Sequence, residues 1–137
     1  MNQYQLHYLV KQMANVLISG SRSIKVLPDD AIVSIDRIIA LGFHIILGDA
    51  NGIDNLVQKY LAYRKYRKVT VYYASFNGSG KPRNNHNFSA ISVPGNYSDR
   101  DKAMCKLADY GLAIWDGRSR GTKTNIDRVL KTKVITG

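Results

Sequence analysis

The sequence predicts a doubly wound parallel α/β sheet, a three-layer α/β/α sandwich of about five strands, because apolar runs of strand length alternate with stretches of helical periodicity. Such alternation implies parallel strands joined by right-handed crossovers. A second observation sharpens the first. Four segments share one design, in which an apolar run ends in small and polar residues and a helical pattern begins at once: NVLISGSRS (Asn15 to Ser23), IILGDANGIDNLV (Ile45 to Val57), YSDRDKAM (Tyr97 to Met104) and GLAIWDGRSRGTKTN (Gly111 to Asn125). In three of them the apolar run reads as a strand. Junctions between strand end and helix start are where open α/β sheets bind phosphate-bearing ligands, so the pattern also predicts a nucleotide-type pocket.

Asn15 to Ser19 reads as the first strand and ends at Gly20, and a helix start at Pro28-Asp29-Asp30 follows. Ile32, Ile35, Ile38 and Ile39 continue that helix to a stop at Gly42. His44 to Leu47 is the second strand. Beyond the Gly48 to Gly52 turn, Ile53, Leu56, Val57, Tyr60 and Leu61 form an amphipathic stripe. Val69 to Ala74, rich in β-branched and aromatic residues, is the third strand. Ser75 to Asn96 lacks sustained periodicity, is rich in Asn, Ser, Gly and Pro, and reads as a mobile lid loop over 75–96. A helix from Ser98 through Ala108 and a strand over Leu112 to Trp115 follow. The chain closes with a helix marked by Ile126, Val129 and Leu130 and a fifth strand over Lys133 to Thr136.

A length of 137 residues with 45% hydrophobic content suits a single domain over 1–137, with 1–12 as an extension that contributes little to the site. The lone Cys105 excludes an internal disulfide, and no apolar stretch is long enough to span a membrane. With no secretory leader at the N-terminus, the expected location is cytoplasmic. The formal net charge of +10 predicts anionic partners, with phosphate-bearing small molecules and nucleic acid both qualifying. All 10 acidic residues are aspartate, so no mechanism can draw on a glutamate of this chain.

The chemistry concentrates in the loops. In Gly20-Ser21-Arg22-Ser23 the glycine permits close backbone approach, serine offers a hydroxyl and arginine a phosphate fork; the alternative is an ordinary turn with a solvated arginine. In Gly48-Asp49-Ala50-Asn51-Gly52-Ile53-Asp54 two glycines bracket a turn that opens into a helix, leaving backbone N–H groups for a ligand. Asp49 and Asp54 are candidates for ribose hydroxyls, although Asp49 or Asn51 could equally cap the helix. Asp116-Gly117-Arg118-Ser119-Arg120-Gly121-Thr122 reads as a nest of donors for phosphate, or as a flexible basic loop with Thr122 as N-cap. Arg100 stands in the first turn of its helix, where a cation opposes the macrodipole, with Asp99 and Asp101 offsetting it. Trp115 is a candidate for stacking on a base, with packing as the default.

Other features point less to a site. Tyr60 to Lys68 mixes aromatics with cations like a nucleic-acid patch, but its cations fall where a helix C-terminus favours them. Gly78 to Pro82 imitates a phosphate loop without the Walker pattern. His7, His44 and His86 are scattered, so no metal site is expected, and Cys105 reads as packing within a helix.

Taken in order, GSRS, GDANGID, RDKAM and WDGRSRGTKTNI resemble the SLOG superfamily, particularly its YspA-like branch, over about Asn15 to Val134. Its relatives include Lonely Guy phosphoribohydrolases, DNA-processing protein A and the ligand-sensing regions of some ion channels. The resemblance implies a Rossmann-like sheet that binds a nucleotide or nucleotide-derived ligand, related to NAD, ADP-ribose or a nucleoside monophosphate. It aligns Gly48 to Gly52 with the family's first glycine loop, Gly117 to Thr122 with its phosphate-binding loop, and Arg100 with the arginine of an R-K-x-x-M pattern, here Arg100-Asp101-Lys102-Ala103-Met104. The hydrolases carry a glutamate where this chain has Asn125, and an amide can neither act as a carboxylate base nor stabilise an oxocarbenium ion by charge.

The leading expectation is therefore a ligand sensor or carrier with no required cofactor, its phosphate on the Gly117 to Thr122 and Gly20 to Arg22 loops. Two alternatives remain open. One is an N-glycosidic hydrolase or transferase drawing on Arg100, Asp99 or Asp116, and the other a module for single-stranded nucleic acid. A homo-oligomer is also left open.

Overall fold

A computed structural model describes residues 1–12 and 14–137, without side-chain detail for four residues of the first helix. Met13, which precedes the first strand, lies outside the described residues. The helix α1 (Gln3–Gln12) comes first and exposes Tyr4, Leu6 and Leu9 to solvent. The body then runs β1 (Asn15–Gly20), α2 (Asp29–Leu41), β2 (His44–Leu47), α3 (Ile53–Tyr63), β3 (Val69–Ser75), a single 3-10 turn (Phe76–Gly78), β4 (Ser89–Pro94), α4 (Tyr97–Leu107), β5 (Tyr110–Trp115), α5 (Arg120–Arg128) and β6 (Thr132–Thr136).

The six strands form one sheet in the order β4-β3-β2-β1-β5-β6, and every neighbouring pair is parallel. The chain is α/β, with helices flanking a Rossmann-like doubly wound sheet. Side-chain alternation along each strand divides the core into two layers. Val16 and Ile18 of β1 and Ile45 and Leu47 of β2 join the larger cluster, with Ala31 and Ile35 of α2 and Ile53, Val57 and Leu61 of α3. Leu17 and Ile46, which face the other way, pack with Tyr72, Met104 of α4 and Val129.

The sheet has six strands rather than about five, because the region read as a lid contains β4. Its residues pair with β3 from Thr70–Ser89 to Ser75–Pro94. As an edge strand it is almost wholly exposed, so Ser89, Ala90, Ile91 and Ser92 show no alternation that a sequence pattern could register. Several residues just before β4 are fastened to the body. Phe88 is buried in the larger core layer, Gln58 Nε2 donates to the Asn84 carbonyl at 3.0 Å, and His86 Nε2 lies 2.7 Å from Asn55 Oδ1.

Strand order fixes where a ligand can sit. From β1 the chain steps through β2 and β3 to β4 at one edge, then returns past β1 to β5 and finishes at β6. The connections diverge between β1 and β5, leaving a crevice outside the carboxyl ends of those strands.

Candidate functional site

A cavity of about 430 Å³ occupies that crevice. Ser19 and Gly20 close β1 beneath it, Gly48 and Ala50 follow β2, and Asp116 follows β5. Gly121, Thr122 and Asn125 of α5 form one wall. The opposite wall is Arg83 with one face of α4, where Tyr97, Arg100, Asp101 and Met104 recur at i, i+3, i+4 and i+7.

The loops after β1, β2 and β5 are stitched together by short-range contacts. Ser21 N–H donates to the Ile114 carbonyl at 3.0 Å, and the Ser21 carbonyl accepts from Ile53 N–H at 3.3 Å. Ser21 Oγ accepts from Asp116 N–H and lies 2.9 Å from Ser119 Oγ. Gly52 has φ +81°, and a Cβ there would stand 2.5 Å from Arg22 Cα, so only glycine lets the two loops touch. The glycine-bearing bends at residues 20, 52 and 121 are thus brought to one end of the sheet.

A buried ion cluster forms the floor. Asp49 is 2% exposed; its Oδ1 accepts from Arg100 Nη1 at 2.7 Å and from Arg83 Nη2 at 2.8 Å, and its Oδ2 from Arg83 N–H at 2.8 Å. Burial alone would raise the Asp49 pKa, but these hydrogen bonds and the two guanidinium charges hold it below the ordinary carboxylate range. Arg100, only 7% exposed, also donates through Nε and Nη2 to Asp101 Oδ1 at 3.2 and 3.0 Å. Asp54 feels the charge of the same guanidinium without pairing with it, and its Oδ2 accepts from Ala50 N–H at 3.1 Å. Desolvation pushes its pKa up to about 6, against the pull of Arg100 and of the Ala50 N–H. Gly48 makes the cluster sterically possible. A Cβ there would sit 2.7 Å from Asp54 Oδ2 and 3.0 Å from Arg100 Cζ.

Of the residues singled out in the sequence, Gly20, Arg22, Gly48, Asp54, Arg100, Asp116, Ser119, Gly121 and Thr122 line the cavity. The others stand behind it or outside it. Ser21 ties the loops and Asp49 holds the two arginines, so neither caps or faces the cavity. Asn51 is exposed and accepts from Asn84 Nδ2 at 3.2 Å, while Gly52 is the N-cap of α3, with no side chain capping it. Asp99 Oδ2 accepts from Asn96 N–H at 2.9 Å, and Asn96 Oδ1 accepts from Asp99 N–H at 3.0 Å, a reciprocal capping box for α4. Trp115 does not line the cavity; its Nε1 donates to the Ser119 carbonyl at 3.0 Å.

The Gly117 to Thr122 loop differs from an open nest. Asp116 Oδ1 accepts the N–H groups of Arg118 and Ser119, both at 2.8 Å, and Oδ2 accepts from Ser23 Oγ at 2.7 Å. Those bonds, led by the Ser23 hydroxyl, hold the Asp116 pKa well below the ordinary range. The donors left for a ligand lie further along, in the first turn of α5. Its N-cap is Ser119, no side chain caps it, and Thr122 stands inside the helix as a buried residue on the cavity wall.

Sequence reasoning passed over Arg83, Tyr97 and Met104 as lining residues, whereas Asn125, which the resemblance set at the hydrolases' glutamate position, does line the cavity. The helical spacing of Tyr97, Arg100, Asp101 and Met104 was a usable signal for one face of α4. Arg83 had none, because only the bonds from Asp49 bring it to the cavity.

The remaining features lie elsewhere. His44 Nε2 is 2.8 Å from Thr70 Oγ1, His7 is on exposed α1, and His86 pairs with Asn55. Among the described residues no three His, Cys or Asp side chains are grouped as a metal site would need. Cys105 Sγ donates to Asn125 Oδ1 at 3.5 Å, and burial raises the thiol pKa. At the Tyr60 to Lys68 segment, Tyr60 and Arg64 both donate to Asp36 of α2, and Arg67 stacks 4.4 Å over the Phe88 ring. That segment is therefore a helix end fastened to the body. Among the described residues no helix is long and apolar enough to cross a membrane. Compared with models of protein families, with curated proteins and with solved structures, the chain matches none of them.

Proposed function

We propose that this chain binds a nucleotide-derived small molecule of mononucleotide size, as a sensor or carrier of the SLOG type. The observation that carries the reading is the cavity at the β1–β5 divergence, walled by an α5 first turn that no side chain caps. Free N–H groups and the positive end of the helix dipole favour a phosphate there, with Arg22 and Ser23 at the same rim. A volume of about 430 Å³ falls in the lower part of the range for small-molecule sites, which favours a mononucleotide over a dinucleotide. Asp54, which lines the cavity, takes the ribose role; Asp49 is committed to its arginines.

The test uses Gly121→Asp. A Cβ at Gly121 meets nothing within 4 Å, and a carboxylate near a helix N-terminus favours the helix, so the fold is retained. The same carboxylate opposes a phosphate. In a thermal-shift panel of mononucleotides, ADP-ribose and NAD, the wild type gains stability with a mononucleotide and the variant loses that gain. A gain of equal size in both proteins removes phosphate from α5, and no shift with any ligand removes the reading.

A second reading, N-glycosidic cleavage, is favoured by Asp54, a buried carboxyl on the cavity that titrates at about 6 and so suits proton transfer near neutrality. Against it stand the absence of glutamate in the chain and Asn125 on the cavity wall. Incubation with nucleoside monophosphates and chromatography for free base separates the two readings: release that Asp54→Asn abolishes establishes cleavage, and silence across the panel leaves binding alone.

A further inference from the structure

We propose that Tyr97 and Arg83 form a nucleobase subsite, so that the cavity selects ligands with a planar aromatic base over a bare sugar phosphate. The inference rests on the mononucleotide reading above and names the part of the site that reads the base. Among the described residues lining the cavity, Tyr97 is the sole aromatic. It is the first residue of α4 and is 43% exposed, so part of the ring remains open to a guest.

Both planar groups of this wall are held by neighbours. The Phe76 and Tyr97 rings form a T-shaped pair at 5.3 Å between centroids and 84° between planes. The Arg83 guanidinium lies 4.3 Å from the Tyr97 centroid, and its Nη2 and its backbone N–H are both fixed by Asp49 at 2.8 Å. Arg100 adds a second guanidinium at 5.5 Å. The result is a layered, cationic π surface that is already ordered. Bases stack on aromatic rings and on guanidinium planes alike, and an ordered surface loses little entropy when one binds. Met104, two turns along the same face of α4, supplies a polarizable apolar contact deeper in the cavity.

The positions of the two walls agree with this division of roles. The α5 first turn, suited to phosphate, faces the cavity from the β5 side, and Tyr97 and Arg83 face it from the other. Trp115, the aromatic that the sequence suggests for stacking, is excluded from the role because it stands off the cavity with its Nε1 bonded to the Ser119 carbonyl.

AMP and ribose 5-phosphate, which share sugar and phosphate and differ in the base, test the inference by isothermal titration. The wild type should bind AMP about fivefold to a hundredfold more tightly, the range expected of one stacked base. Tyr97→Ala, at a half-exposed position, should lower AMP affinity to that of ribose 5-phosphate and leave the latter unchanged, while Tyr97→Phe keeps the preference. Equal affinities in the wild type overturn the base subsite and leave the phosphate site standing. A preference that survives Tyr97→Ala overturns the assignment to Tyr97. Failure of both probes to bind removes the mononucleotide reading, and this inference with it.

Discussion

At the scale of single residues, the floor of the cavity is an exercise in charge balance. Asp49 serves two guanidiniums at once, and Arg100 is enclosed by Asp49, Asp101 and Asp54. Asp49→Asn removes a buried charge from between its partners, and because Asp101 keeps its hold on Arg100 the cost should lie near the low end for such pairs, about 3 kcal/mol in urea denaturation. Asp54 works in the opposite direction. Its folded pKa of about 6 exceeds the ordinary 3.8, so the folded state binds the proton more tightly than the unfolded chain. Its contribution to stability is therefore full below the ordinary pKa, declines as pH rises from 3.8 to about 6, and is gone above. Urea midpoints across that window should fall with pH in the wild type and flatten in Asp54→Asn; parallel curves would show that Asp54 titrates normally. Of this balance, only the offset of Arg100 by Asp101 was legible beforehand. The sequence suggested ribose roles for both aspartates, and the division between them follows from Arg83, which lies 34 residues away along the chain from Asp49.

At the scale of elements, α4 is the piece that joins fold to site. Its capping box fixes the first turn, and that turn carries Tyr97 and Arg100 into the cavity. Asn96→Ala should cost about 1 kcal/mol in denaturant midpoint, the ordinary value of such a cap. A loss near zero would mean that the Arg100 ion pairs alone hold the helix start. The alternating elements were legible because β1, β2, β3 and β5 are buried runs and α2 and α3 carry apolar stripes. Edge strand β4 was not, since solvent on nearly all of its residues erases the pattern, and its crossover from β3 uses a 3-10 turn and loop in place of a helix.

At the scale of the whole molecule, the strand order was the decisive unknown. Periodicity identifies parallel units but not the sequence in which they lie side by side, and only the return of β5 to the far side of β1 creates the crevice. The net charge of +10 acts on this scale as well. A mononucleotide in the proposed site meets few of those charges, so its affinity should change less than about tenfold between 50 and 500 mM salt, by calorimetry. Single-stranded nucleic acid held across the surface would instead lose affinity steeply, with a logarithmic slope of about −0.7 per phosphate neutralised. A flat salt response of single-stranded nucleic acid would remove the nucleic-acid alternative.

The segment between β3 and β4 has one more consequence. Arg83 donates its amide to buried Asp49, and the side-chain amide of Gln58 grips the carbonyls of Gly48 and Asn84 together. A door built this way would have to break those bonds at each opening, so this segment should stay shut while a guest enters and leaves. In heavy water, the Arg83 amide should keep its proton far longer than those of Ser79 to Lys81 on the same stretch; exchange as fast as theirs would reveal a swinging gate.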